Sequence, residues 1–276
     1  MQVTWGGQRT TEARNLSVTR TLLIAVLLGG SALFPSLARA ELTLSAGIDY
    51  LNWSETTTPE VTETGPVYAL GLAYTQDRDG GALFAYRGKV WWGKVDYDGA
   101  TLFGGTPIKS KTNYVGVSNE AQVRWRKAGK PSGNLDGVLG AGLDLWRRSL
   151  STVQTEDYAV GYLRLGVESG TDDAGGWTAS VGFKYPVWTY LNAHFDDIGF
   201  DSNPILRPGR DVSPYGSLGY RFAPSLQVVG YYDGFRFGRS NAVQANELAT
   251  GLGPTTLVQP ASTMSVFGIR FEYLLR

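Results

Sequence analysis

From Ala40 to its C-terminus the chain alternates. About ten segments of alternating apolar and polar residues follow one another, with connectors that are by turns short and long. A period of two belongs to strands, which send successive side chains to opposite faces. Segments of about ten residues, apolar on one face and polar on the other, describe a wall with lipid on one side. No apolar run after Ala40 approaches the ~20 residues that a membrane-crossing helix needs. The expected fold is all-β: a transmembrane antiparallel up-and-down β-barrel of about ten strands, with short periplasmic turns and long extracellular loops.

The alternation predicts strands over 42–54, 66–77, 82–96, 113–127, 135–148, 157–169, 176–192, 212–222, 226–238 and 263–275. The connectors at 77–81, 129–133, 171–175 and 223–225 are short and rich in Gly, Pro, Asp and Ser, which favour turns. Those near 55–65, 97–112, 149–156, 193–211 and 239–262 are mostly longer. With a periplasmic start, short and long connectors fall on opposite sides throughout.

Parity then assigns faces. Val115, Val117, Val123 and Trp125 in the fourth strand, and Phe267, Ile269, Phe271 and Tyr273 in the last, belong to the lipid side. The predicted lumen is charged with both signs: Asp49, Arg87, Lys89, Glu120, Arg124, Arg126, Asp144, Arg164, Glu168, Lys184, Arg221, Arg270 and Glu272. A ten-stranded barrel encloses little more room than side chains can fill. Buried charges are tolerable only when paired. The expectation is an ion network that plugs the barrel; the alternative is a narrow channel lined by basic residues. Gly47, Gly71, Gly140, Gly142 and Gly182 fall on inward positions and relieve crowding.

The ends carry two signals. Arg14 and Arg20 precede the apolar stretch Leu22–Leu28, and Ala38-Arg39-Ala40 is an A-x-A site. This predicts a signal peptide over 1–40, cleaved after Ala40, and a barrel domain over 41–276. Residues 1–40 hold four Arg and one Glu, so the remaining chain has a net charge of about −3. That excludes a nucleic-acid footprint, which needs a basic face. There is no Cys, so rigidity must come from the closed ring of strands rather than from disulfides. In the last strand, Gly268, Phe271 and Tyr273 resemble the C-terminal signal read by the outer-membrane assembly machinery. The implied partners are that machinery, outer-membrane lipids and lipopolysaccharide, with Phe195, Phe200 and other apolar loop residues either capping the barrel or meeting a surface ligand of unspecified kind.

No P-loop, nucleophile elbow or His/Cys cluster is present, and no cofactor or metal is expected. His194 is the only His. It carries inward parity with Asn192 at the outer end of the seventh strand, and Asp196 and Asp197 follow it. Asp96 and Asp98 stand at the outer end of the third strand. This layout resembles the omptin family of outer-membrane proteases, ten-stranded barrels in which an acidic pair faces an Asp–His couple across a groove and activates a water. The resemblance implies catalytic candidates His194, Asp196, Asp96 and Asp98, with His194 as base. The order here is His194-x-Asp196, the reverse of the family's couple. Barrel-shaped lipid A deacylases and phospholipases are a further enzymatic class, but they need Ser and His on the lipid-facing wall.

Overall fold

A computed structural model describes residues 40–76, 82–100, 105–126, 134–170, 175–248 and 253–275. The expected leader up to Arg39 and most of the turns at 77–81, 127–133 and 171–174 lie outside the described residues, as does the side chain of Arg126. Ten long strands form the wall: β1 (Ala40–Glu55), β2 (Val61–Gln76), β3 (Ala82–Ala100), β4 (Pro107–Arg126), β5 (Asn134–Ser149), β6 (Thr155–Gly170), β7 (Gly176–Asn192), β8 (Ser213–Ala223), β9 (Leu226–Phe237) and β12 (Ser262–Leu275). Each pairs antiparallel with its neighbours, and β1 closes on β12 from Leu42↔Leu275 to Glu55↔Ser262. Closure satisfies the backbone without leaving an open edge. A small hairpin, β10 (Val243–Asn246) and β11 (Pro254–Leu257), lies in the last long connector.

Outward residues form an apolar belt that includes Leu44, Ile48, Leu139, Leu165, Val181 and Ile269, all exposed. Aromatic residues edge it. Tyr50, Tyr68, Trp92, Tyr185 and Trp188 mark the outer border; Trp125, Trp177, Phe222 and Tyr273 mark the inner one. Amphipathic rings of this kind settle at the membrane–water boundary.

The strands run well past this belt on the outer side. A bilayer needs about 9–11 residues per tilted strand; β3 has 19 and β4 has 20. The excess carries the wall roughly 20 Å beyond the lipid. Three connectors expected to be long are therefore short: β1–β2, β3–β4 and β5–β6 are joined by 56–60, 101–106 and 150–154. Their flanking residues join the ladder because their inward side chains, such as Trp53, Glu63, Val95 and Arg148, are buried. Long connectors remain at 193–212 and 238–261.

One irregularity governs the outer rim. Tyr162 pairs with Pro186 but Gly161 pairs with Trp188, so Val187 is an extra residue in β7. A bulge of this kind reverses parity. Up to Pro186 the even positions point inward; beyond it Thr189, Leu191 and Ala193 do.

Candidate functional site

The lumen has an apolar half and a charged half. At the outer end, Trp53, Trp146, Tyr158, Phe235 and Phe237 are buried against one another. Trp146 stacks on Tyr158 with ring centres 4.8 Å apart. The 193–212 connector bends over this cluster and buries Phe195, Phe200 and Leu206 in it. Leu206 exchanges both backbone hydrogen bonds with Leu191 of β7 at 2.9 and 3.0 Å.

Set into this plug is one guanidinium that holds three carboxylates. Arg148 lies 2.8 Å from Glu55, 2.7 Å from Glu63 and 2.8 Å from Glu156. The carboxylates are completed by neutral donors: Trp53 donates to Glu55 at 2.8 Å, Tyr158 to Glu156 at 3.1 Å, and Thr112 and Tyr114 to Glu63. Five strands meet here. Burial pushes the Glu156 carboxyl above its usual range, against the pull of Arg148.

Below the plug the predicted lumen charges other than Arg126 face inward. A cavity of about 30 Å³ touches Trp91, Trp146 and Phe235 of the plug and is also lined by Asp49, Lys89, Asp144, Lys184 and Asp233. Lys184 is fully buried and pairs with Asp233 at 2.7 Å. Asp49 accepts from Tyr231 and lies 3.6 Å from Lys89, and Asp144 keeps one oxygen buried and without a hydrogen bond among the described residues. A second cavity, of about 140 Å³, follows, with Arg87, Glu120, Arg164, Arg270 and Glu272 on its wall. Arg164 reaches Glu120 at 3.2 Å, Arg270 reaches Glu272 at 2.6 Å, and Arg124 reaches Glu168 at 2.9 Å. Arg221 is buried and partnered.

The rim residues do not assemble as the omptin layout requires. Asp96 and Asp98 point outward, are exposed, and pair with Lys111 and Lys109 of the adjacent strand, the latter at 2.9 Å. Their parity follows from Arg87 and Lys89, which face inward on the same strand. His194 is also displaced from its expected place, because the Val187 bulge swings it to the outer wall. There its Nε2 lies 2.9 Å from Asp157 of β6. Arg147 of β5 grips the same carboxylate through two hydrogen bonds of 2.6 Å. The partner of His194 is therefore Asp157, not Asp196; Asp197 is 3.9 Å from Nδ1. Burial opposes ionisation of Asp157, but hydrogen bonds from Arg147 and His194 bring it down to about 2. The bond to Asp157 raises His194. Ligand-capable atoms of His194, Asp196 and Asp197 come within 4.8 Å of one another, yet both carboxylates are exposed on a four-residue turn and enclose nothing.

No family model matches the chain and no curated protein matches it. Among solved structures it is similar to the outer membrane protease OmpT from Escherichia coli, at 10% identity over 89% of this chain and 99% of that chain, with a TM-score of 0.52. It also matches the transport unit of the autotransporter AIDA-I from Escherichia coli (8% identity, 91% and 96% coverage, TM-score 0.41). A third match is Neisserial surface protein A (12% identity, 83% and 95% coverage, TM-score 0.29). At such identities a likeness is one of fold, and the likeness to OmpT agrees with the closed ladder and apolar belt. The chain is an integral outer-membrane β-barrel.

Within this outer-membrane barrel, Gly268 of the expected C-terminal signal has a local reason to be Gly. A Cβ there would sit 2.2 Å from Asp49 Oδ1 and 2.5 Å from the Tyr231 ring. Phe271 and Tyr273 point to the lipid side. Glu55, Glu63 and Glu156 were not predicted as site residues. Glu55 and Glu63 fall in a stretch whose spacing reads as a loop. Asp233 was also missed, although it shares parity with inward Gln227 and Val229.

Proposed function

We propose that this barrel is a closed, non-enzymatic scaffold that holds a rigid rim at the cell surface for binding. The observation that carries this reading is the buried aromatic cluster around Trp146, sealed by Phe195, Phe200 and Leu206 from the connector above it. Ion pairs fill much of the lumen beneath. A conducting channel would need both obstructions to move. Lipids and lipopolysaccharide surround the wall, with Lys109 and Lys111 on its outer face above the aromatic border. Gly268, Phe271 and Tyr273 present the strand that the assembly machinery reads. The test is single-channel recording in planar bilayers: the scaffold reading expects no steady conductance, and large stable openings would overturn it.

A surface protease is the second reading, favoured by the fold shared with OmpT and by the bonded pair of His194 and Asp157. Against it, Asp96 and Asp98 face outward and are each held by a lysine. Peptide hydrolysis by the folded barrel that disappears in His194→Ala would establish this reading over the first.

A further inference from the structure

The larger cavity beneath the plug has a cation that shares its carboxylate with a second arginine. Of the arginines around it, Arg164, Arg270 and Arg124 each have a carboxylate oxygen within 3.2 Å. Among the described residues Arg87 has one ion pair, a hydrogen bond of 3.4 Å to Glu168, whose other oxygen holds Arg124. The exposure of these groups tells the same story. Arg124 and Arg164 retain 11% and 12% of their side-chain surface, but Arg87 retains 32% although it points into the lumen. That surface faces the cavity, which Arg87 lines together with Lys89, two residues along the same face of β3. The ammonium of Lys89 is 3.6 Å from Asp49, too far for a hydrogen bond.

We propose that this cavity binds a small tetrahedral oxyanion, with Arg87 as its principal ligand and Lys89 beside it. A guanidinium presents paired N–H groups in a plane, which matches two oxygens of an oxyanion. A cation in a protein-walled shaft gains more from a counter-charge than one on the open surface, because less water screens it. Ser45, Ser217 and Tyr215 add hydroxyls to the wall, and hydroxyls donate to the remaining oxygens. A volume of about 140 Å³ has room for an inorganic ion with residual water. The site does not depend on whether the barrel conducts.

The test is calorimetric titration of the folded barrel, in phosphate-free detergent, with inorganic phosphate. Saturable one-to-one uptake is expected. Arg87→Gln should weaken it at least about tenfold, Arg87→Lys should weaken it less, and Lys94→Gln, exposed on the outer wall, should leave it unchanged. Absence of saturable uptake, or equal uptake by Arg87→Gln, would overturn the proposal. Gel mobility before and after heating checks that each variant is folded. Should Arg87→Gln not fold, Lys89→Gln and Ser45→Val decide, and unchanged affinity in both overturns the site. Dihexanoyl phosphatidic acid supplies the same chemistry as a lipid headgroup. Failure of this lipid to displace phosphate supports the free ion; displacement would overturn that assignment.

Discussion

The two halves of the lumen handle buried charge in opposite ways. In the outer half one cation, Arg148, serves three carboxylates in a dry aromatic setting. In the inner half cations and anions are similar in number, spread over many pairs, and share the walls of two cavities. The outer arrangement is a single hub on which five strands depend. The inner one is distributed, so water can replace a lost partner. The halves should therefore differ sharply in their tolerance of substitution.

Removing the hub gives the largest expected effect. Arg148→Met leaves three buried carboxylates without their cation and should cost about 3–5 kcal/mol, read from urea unfolding in lipid vesicles. Arg270→Met in the inner half should cost about 1 kcal/mol, since Glu272 borders a cavity that can hold water. Equal losses would break the comparison. Next comes Gly268→Ala, which forces a methyl against Asp49 and Tyr231 and should cost about 1–3 kcal/mol.

A smaller effect concerns the connector over the plug. His194 is raised from 6.5 and Asp157 is lowered from 3.8 to about 2. A raised His stabilises fully below its unfolded value and loses that contribution as pH rises through its folded value. A depressed Asp stabilises above its unfolded value and loses that contribution as pH falls through its folded value. The clamp is thus strongest between about pH 4 and 6.5. Amide exchange at Phe195 and Asp197, corrected for intrinsic rates, should quicken above that window in the native barrel and show no such pH step in His194→Ala. The smallest effect is at the outer rim. Asp96→Asn removes an exposed pair with Lys111 and should change stability by less than about 0.5 kcal/mol. A larger loss there would show that the rim is more than a solvated surface.

Much of this fold is legible from alternation alone. Ten strands, their order and the inward charges from Asp49 to Glu272 follow from a period of two, because lipid outside and polar groups inside leave each residue one choice. The outer rim is less legible. Above the lipid belt the outward face becomes polar while the inward face turns aromatic, so the contrast weakens and strand ends read as loops. This hides the pairing of Glu55 and Glu63 with Arg148, which comes from residues far apart in sequence. Asp96 and Asp98 were readable, since they differ in parity from Arg87 and Lys89 on one strand. His194 was not, because its facing depends on one extra residue. The hint was Pro186, which lacks an N–H and tends to sit at irregular points of a sheet.

That extra residue has a wider consequence. The inner and outer stretches of β7 behave as two waves half a period out of step, with Val187 as the phase jump. Were Val187 to take the place of Trp188 opposite Gly161, every later residue of β7 would move one step along the ladder: His194 would turn to the lumen, and Leu191 and Phe195 would be thrown outward, stripping the plug of its lid. Deleting Val187 would instead leave Trp188 opposite Gly161 and each later residue on its present face. The chemistry displayed at the rim is thus set by which single residue of β7 is left out of the ladder.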